Sequence, residues 1–147
     1  MARKVFFSFK YDDVQRAMVV RNSNVIANDT KAGFIDKADF EAVERQGDAA
    51  IRSWINHQLD GTTVTVVLVG ANTHRSRWVA YEVEQSKARK NGILTLDISQ
   101  INDFGGRTSS YGGMTVSPYP QYRWNSDDGR ANLSAWVEAA ARLAGRY

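Results

Sequence analysis

The chain has 147 residues, of which 43% are hydrophobic and 24% charged. This is ordinary globular composition and the length expected of one domain. The formal net charge is only +3, so we expect no nucleic-acid partner, which would require basic residues concentrated on one face. The absence of cysteine excludes disulfides, thiolate metal sites and cysteine nucleophiles. His57 and His74 lie far apart without further ligands at metal-binding spacing, so no metal site is expected.

No segment has the length and composition of a membrane anchor. The longest apolar run, residues 64–70, is interrupted by Thr65 and is far shorter than the roughly 20 residues that span a bilayer. Residues 1–5 begin with basic side chains but lack the apolar stretch and cleavage site of a signal peptide. We therefore expect a single domain over residues 1–147, located in the cytoplasm and without a membrane partner.

The chain opens with a predicted strand and helix. Residues 4–9 are β-branched and aromatic without a helical period, which is typical of a buried strand. Asp12 and Asp13 follow at N-cap positions, and apolar side chains then recur at helical spacing over residues 14–21. Residues 25–27 fit either a short strand or the end of this helix.

A long polar segment separates this helix from the next. Residues 28–47 show no period and are predicted to form a surface loop, of a length that is usually functional. Asp48 is predicted to cap the helix that follows. The apolar stripe of that helix contains Ile51, Trp54, Ile55 and Leu59.

Strands and helices alternate through the rest of the chain. Residues 62–69 are almost continuously β-branched, as expected of a central parallel strand, and residues 93–98 form the next strand. Between them, Thr73 or Ser76 caps a helix over residues 77–90. The last helix has its apolar positions at Leu133, Trp136, Val137, Ala140, Leu143 and Ala144.

This alternation predicts an α/β fold with a mostly parallel central sheet of four to five strands and helices on both faces. The fifth strand is uncertain in position because residues 99–126 are rich in Gly, Ser, Tyr and Asn, and hide at most a short edge strand near residues 121–124. In such sheets, ligands bind at the carboxyl ends of the strands where the strand order reverses. We therefore expect the site among residues 8–11 and 70–74.

The motifs of several common α/β activities are absent. Neither a dinucleotide-binding glycine pattern nor a Walker loop nor a nucleophile elbow occurs. A phospho-receiver would need an aspartate at the end of the central strand, where residues 69–72 read Val-Gly-Ala-Asn.

Glu82 is a carboxylate in an unusual position, because it lies close to the buried side of its predicted helix. At about 100° per residue, Val79 and Val83 mark the buried side of its helix, Glu84 points to water, and Glu82 falls at the border of the buried side. Partial burial beside an aromatic ring raises the pKa of a carboxyl group and suits it to acid–base work or cation stabilisation. The alternative is a surface carboxylate paired with a basic neighbour on the same helix.

The residues around Glu82 have alternative interpretations of their own. Trp78, one turn earlier, either stacks on a flat heterocycle or packs in the core. His74 is either a general base or an exposed polar residue. Asp12 and Asp13 are most simply helix caps.

The segment from Thr73 to Val83 resembles the T-x-x-S-x-W-V-x-x-E-I motif of TIR and TIR-like domains, with Val83 at the position of the usual isoleucine. More narrowly, the chain resembles the TIR-like subunits of Thoeris anti-phage systems. The opening strand, residues 32–36 and residues 63–70 also fit, so the resemblance extends to about residue 98, whereas the glycine-rich region after it matches only loosely.

The resemblance implies a flavodoxin-like TIR fold and an enzyme that cleaves NAD at the bond between nicotinamide and ribose. Such subunits make a cyclic ADP-ribose isomer that activates a separate effector protein. NAD is then a substrate, and no cofactor is implied. The catalytic glutamate of the family corresponds to Glu82. Active sites in this family often form between two copies, which leaves a homo-oligomer open.

The predicted substrate-binding residues follow from their placement near Glu82. They are Phe9, Lys10, Tyr11, Asn72, His74, Arg75 and Trp78. The aromatic members could form walls for nicotinamide or adenine, and Lys10 or Arg75 could bind the diphosphate.

Two other functions remain open from the sequence. The first is a non-catalytic TIR scaffold that assembles through residues 28–47, for which Phe34→Ala would be disruptive and Glu82→Gln silent. The second is a nucleotide sensor that binds its ligand reversibly without forming a product.

Overall fold

The structure of the protein is a computed structural model, which describes residues 4–23, 31–32 and 42–146. Over these residues it has five strands: Val5–Ser8 (β1), Lys31–Ala32 (β2), Val64–Val69 (β3), Gly92–Asp97 (β4) and Gln121–Arg123 (β5). The same residues form four α-helices: Val14–Asn22 (α1), Asp48–Leu59 (α2), Arg77–Ala88 (α3) and Gly129–Leu143 (α4). The first three each lie between two strands, whereas β4 and β5 are joined without a helix and α4 follows β5. Single 3-10 turns precede α1 and α3, at Tyr11–Asp13 and Thr73–Arg75, and residues 42–45 form a helical turn.

The five strands form one sheet in the order β2-β1-β3-β4-β5, and every neighbouring pair is parallel. This confirms the predicted α/β fold with a parallel sheet, and the order is that of flavodoxin-like doubly wound sheets. The strand order reverses between β1 and β3. The carboxyl ends of these two strands therefore define the crevice in which a ligand is expected.

Helices cover both faces of the sheet, as predicted. Successive side chains of a strand point to opposite faces. Val5 and Phe7 of β1 accordingly belong to a core cluster with residues of α1 and α4, whereas Phe6 packs with Ile55 of α2. Val67 of β3 packs against α3 on the same face as Phe6. The face that carries α2 and α3 is the one that forms the site described below.

The last helix lies very close to the sheet. A Cβ atom on Gly92, the first residue of β4, would overlap the backbone carbonyl of Ala140 in α4. Leu133 and Val137 of α4 are buried as predicted, but Leu143, assigned to the same apolar stripe, is 81% exposed. It is the last residue of α4, and the helix has passed the sheet by that point.

The predicted helix caps are confirmed only in part. Asp48 is the first residue of α2 rather than its cap, and Gly47 at the N-cap position has a φ of 93°, a left-handed conformation that favours glycine. Asp13 does occupy the N-cap position of α1, but its side chain makes no capping hydrogen bond. Asp12, in the 3-10 turn before it, pairs with Lys10.

Asp13 belongs instead to a buried ionic cluster. Its carboxylate lies 3.6 Å from the guanidinium of Arg16, and both residues are buried. Arg16 also donates hydrogen bonds of 2.8 Å to the backbone oxygens of Ile101 and Arg107. Burial raises the pKa of Asp13, and the charge of Arg16 offsets part of this rise. The cluster joins the start of α1 to the loop after β4.

The predicted loop over residues 28–47 is shorter than expected, because β2 and the helical turn at residues 42–45 interrupt it. The short strand or helix end predicted at residues 25–27 lies outside the described residues. The edge strand predicted near residues 121–124 is β5.

Within the described residues, no helix is both long enough and apolar enough to cross a membrane.

Candidate functional site

A cavity of about 320 Å³ lies at the carboxyl end of β1, between this strand and helices α2 and α3. Ligand pockets for small molecules range from ~300 to 1,000 Å³, so the cavity is at the lower end of that range. Ile51, Trp54 and Ile55 of α2 form one wall, and Trp78 and Glu82 of α3 form part of another. The cavity is therefore mainly apolar, and Glu82 is the buried carboxyl group among the described residues that line it.

Glu82 reaches the cavity because of the way in which α3 begins and packs. The side chain of Ser76 accepts a hydrogen bond from the backbone N–H of Val79 and caps the helix. Val79 and Val83 then pack under the helix against β3. With these two positions fixed, Glu82 faces the crevice between β1 and α2. Its exposed fraction is 7%.

The carboxyl group of Glu82 has one hydrogen-bond donor among the described residues. Ser8, the last residue of β1, donates from Oγ to Oε1 of Glu82 at 2.8 Å. Burial raises the pKa of Glu82 to about 8, and the hydrogen bond from Ser8 opposes part of this effect. A carboxyl group in this state is largely neutral at pH 7 and becomes charged when a cation is placed beside it.

Trp78 packs against the core, as one interpretation predicted, and it also lines the cavity. Stacking of its indole on a flat heterocycle stays a prediction. Trp78 contacts the cluster around Phe6 and Ile55, and it meets Tyr81 edge to face at a centroid distance of 6.1 Å. The guanidinium of Arg77 lies over its ring at 4.6 Å from the centroid. The indole is thus held in place beside Glu82.

The segment after β1 supplies three of the predicted binding residues. Phe9, Lys10 and Tyr11 all line the cavity. The ammonium group of Lys10 forms an ion pair with Asp12, which also lines the cavity. A diphosphate at Lys10 would have to compete with this pairing.

The turn after β3 lies apart from the cavity. Asn72, His74 and Arg75 are exposed and are not among the described residues that line it. Thr73 in the same turn is buried, and its hydroxyl accepts a hydrogen bond from the backbone N–H of Gly70 at 2.8 Å. The turn is therefore fixed to the end of β3. Substrate binding by Asn72, His74 and Arg75 stays a prediction.

Several lining residues were not predicted as part of a site. Ser8 belongs to the segment that was assigned to the crevice and is not itself among the lining residues, but its hydrogen bond to Glu82 was not predicted. Trp54, Ile51 and Ile55 were recognised only as an apolar stripe, since periodicity does not tell which members of a stripe border a cavity. Glu44 precedes α2, is exposed and lines the cavity. No motif or periodicity in the sequence marked it as a site residue. Among the described residues, no three His, Asp or Glu side chains are grouped in a way that could hold a metal ion.

Comparison with known proteins agrees with the fold. Residues 6–103 match the family model of the Thoeris protein ThsB, TIR-like domain. A protein of Bacillus cereus (strain MSX-D12), named "Putative cyclic ADP-D-ribose synthase ThsB1", is 37% identical over 140 residues, which cover 93% of this chain and 72% of the relative. The matched region includes β1, α3 and the cavity between them. The chain therefore belongs to the ThsB family of TIR-like domains.

Proposed function

We propose that this protein is an enzyme of anti-phage defence that cleaves NAD at the nicotinamide–ribose bond and converts the remainder into a cyclic ADP-ribose. Membership in the Thoeris ThsB family and the name of the Bacillus cereus relative support the class of reaction. The observation that carries the proposal for this chain is the placement of Glu82, a buried carboxyl group in an apolar cavity at the switch point of the sheet.

The chemistry requires one carboxylate. Nicotinamide leaves as a neutral molecule, so no acid has to protonate it. The ribose left behind gains oxocarbenium character at its anomeric carbon. A carboxylate held next to that carbon stabilises the positive charge, and it does so more strongly in an apolar surrounding than in water. Glu82 takes this role.

Without substrate, Glu82 is largely protonated, and binding of a cationic substrate favours its ionisation. The pyridinium ring of NAD is cationic, and a cation beside a carboxyl group favours its ionised form. Substrate binding therefore expels the proton that burial keeps on Glu82. Phe9, Tyr11 and Trp78 provide the aromatic surfaces against which the flat nicotinamide ring packs.

The apolar walls also bear on the fate of the ribosyl cation. Hydrolysis requires a water molecule at the anomeric carbon, whereas cyclisation requires another nucleophile of the same ADP-ribose and the exclusion of water. Walls formed by Ile51, Trp54 and Ile55 on one side and Trp78 on the other favour cyclisation. The cyclic product then acts on a separate effector protein in the cytoplasm, and assembly of this chain with further copies accompanies the activity.

The test is to incubate the purified protein with NAD and to follow nicotinamide and the ADP-ribose products by chromatography and mass spectrometry. Loss of an electrostatic contact to the transition state typically lowers turnover by about 10²–10³-fold. We expect a loss of this size in Glu82→Gln. Glu84→Gln, two residues further along the same helix and exposed, is the matched control and should keep wild-type turnover.

The same measurement is made in lysates of phage-challenged cells, because an enzyme that is activated only by infection would show no turnover when purified. A new ADP-ribose-derived compound that depends on Glu82 supports the proposal. Turnover that persists in a folded Glu82→Gln variant removes Glu82 from the mechanism. Anti-phage protection without any product, retained in Glu82→Gln, would instead indicate a scaffold.

A further inference from the structure

The contact between Ser8 and Glu82 is the part of the site for which the reaction outlined above has no use. Ser8 is completely buried, and 74 positions separate it from Glu82 in the chain. Its hydroxyl donates to Oε1 of Glu82 at 2.8 Å. The burial of Ser8 means that this donor is part of the packed end of β1 and not of the surface.

A second set of hydroxyl groups fixes the backbone of Glu82. Ser86, one turn further along α3, donates to the backbone oxygen of Glu82 at 2.7 Å. Ser86 and Thr65 of β3 share a buried hydrogen bond of 2.7 Å. The helix is therefore held to β3 below Glu82, while the side chain of Glu82 is held to β1 by Ser8.

The two oxygens of the Glu82 carboxyl group are consequently not equivalent. Oε1 accepts the hydrogen bond from Ser8. Among the described residues, Oε2 accepts none, and Glu82 lines the cavity. The contact with Ser8 thus fixes the rotation of the carboxyl group and leaves Oε2 for a bound substrate.

The charged groups near Glu82 do not replace Ser8 in this role. Lys10 and Asp12 after β1 and Glu44 ahead of α2 are the other charged residues that line the cavity. Lys10 is paired with Asp12. No ion pair joins a described cation to Glu82, so among the described residues the hydroxyl of Ser8 is the group that favours its ionised form.

We propose that Ser8 is a positioning residue of this enzyme, whose hydroxyl orients the Glu82 carboxylate toward the ribose and supports its ionised form in the apolar cavity. The proposal rests on the proposed NAD-cleaving function. It is distinct from a purely structural role, because a structural hydroxyl would affect stability without changing the ionisation of Glu82.

Three variants separate these two roles. Ser8→Ala removes the donor, and Ser8→Thr keeps it. Thr62→Val is the matched control. Thr62 is buried and lies just before β3, at the opposite end of the strands from Glu82. Its hydroxyl donates to the backbone oxygen of Leu59 at 2.6 Å and accepts a hydrogen bond from Asn91. If Ser8→Ala does not fold, Ser8→Cys, which keeps a similar side chain with only a weak donor, is assessed in its place.

The first measurement is the titration of Glu82 by carboxyl ¹³C NMR in the absence of NAD. It does not depend on activity, so it reports on Ser8 even if the protein cleaves no NAD. Loss of a hydrogen bond to the charged form raises a carboxyl pKa, and we expect the midpoint in Ser8→Ala to move up by about one pH unit. The midpoint should be unchanged in Ser8→Thr and Thr62→Val. An unchanged midpoint in Ser8→Ala overturns the proposal.

The second measurement is the pH profile of kcat/KM for nicotinamide release. We expect Ser8→Ala to lose about tenfold at pH 7, where fewer molecules carry an ionised Glu82, and to recover part of this loss at pH 9. Ser8→Thr should restore the wild-type profile. A Ser8→Ala profile that coincides with that of the wild type shows that the contact is irrelevant to the reaction. If the wild type releases no nicotinamide either when purified or in lysates of phage-challenged cells, the proposed function fails, and with it the role of Ser8 in catalysis, whereas the NMR titration still tests the contact between Ser8 and Glu82.

Discussion

Arg77, the first residue of α3, forms a bidentate ion pair with Asp48, the first residue of α2. Its two terminal nitrogens each donate to a different carboxylate oxygen of Asp48 at 2.9 Å. The same guanidinium lies over the ring of Trp78. Both charged side chains are largely exposed, so the pair contributes at most about 1 kcal/mol to stability. Its main effect is geometric, because it restrains the rim of the cavity on which Trp78 lies.

Trp78→Ala is predicted to weaken NAD binding. Stacking of an aromatic side chain on a base contributes about 1–3 kcal/mol, so the KM for NAD should rise roughly tenfold or more. Trp78→Phe retains an aromatic ring and should show a smaller rise. Initial rates over a range of NAD concentrations measure the effect. An unchanged KM in Trp78→Ala, with the protein folded, would show that the indole has a packing role only.

The activity of the wild type is predicted to increase with pH. Only ionised Glu82 stabilises a positive charge, and kcat/KM reports the pKa of the free enzyme. With a pKa of about 8, kcat/KM should rise roughly tenfold between pH 7 and pH 9. The profile of kcat should have its midpoint at lower pH, since the bound pyridinium cation favours ionisation. A pH-independent kcat/KM over this interval would contradict the role given to Glu82.

Glu82 is also predicted to make the protein less stable as the pH rises. Its pKa is raised from 4.5 in the unfolded chain to about 8 in the folded protein, so the folded state binds more protons between these values. The stabilisation is complete below pH 4.5 and is lost as the pH rises through 8.

Thermal unfolding of the wild type and of Glu82→Gln at pH 5, 7 and 9 measures this linkage. Relative to Glu82→Gln, the wild type should lose a few kcal/mol between pH 5 and pH 9. Glu84→Gln should follow the wild type. Parallel pH dependence of wild type and Glu82→Gln would mean that Glu82 is solvated in the folded protein.

Two leucines of α4 provide a matched pair for the packing of the sheet. Leu133 is fully buried and Leu143 is 81% exposed. Leu133→Ala should lower the free energy of unfolding by about 2–5 kcal/mol, because it removes buried contacts and leaves a cavity. Leu143→Ala should change it by less than about 0.5 kcal/mol. Denaturant titrations of both variants test the difference, and equal losses would indicate that α4 packs differently.

Periodicity in the sequence placed Glu82 at the border of the buried side of its helix, and the resemblance to TIR-like domains was needed to assign it a catalytic role. Val79 and Val83 mark the buried side of α3, and at about 100° per residue Glu82 falls next to this side. The parallel sheet could likewise be predicted, because β3 and β4 are buried on both faces and read as continuous apolar runs. In both cases the signal is local: it depends on neighbours within one helix or strand.

Features that depend on contacts between distant segments could not be predicted. Asp13 has the sequence context of a helix cap, and only the folded chain brings Arg16 and the loop after β4 to its carboxylate. In the sequence, Ser8 looks like any other strand residue. Its role becomes visible only in the folded protein, where it donates a hydrogen bond to Glu82 of α3. The strand β2 has two residues, too few for any pattern.

The modest volume beside Glu82 has a consequence for how a dinucleotide would be accommodated. At about 320 Å³, the space enclosed by the described walls suits one nucleoside half of NAD, so the adenosine half must project beyond it. A projecting half retains rotational freedom after nicotinamide departs. In the proposed cyclisation, the adenosine then turns back toward the anomeric carbon, into the space that nicotinamide has vacated.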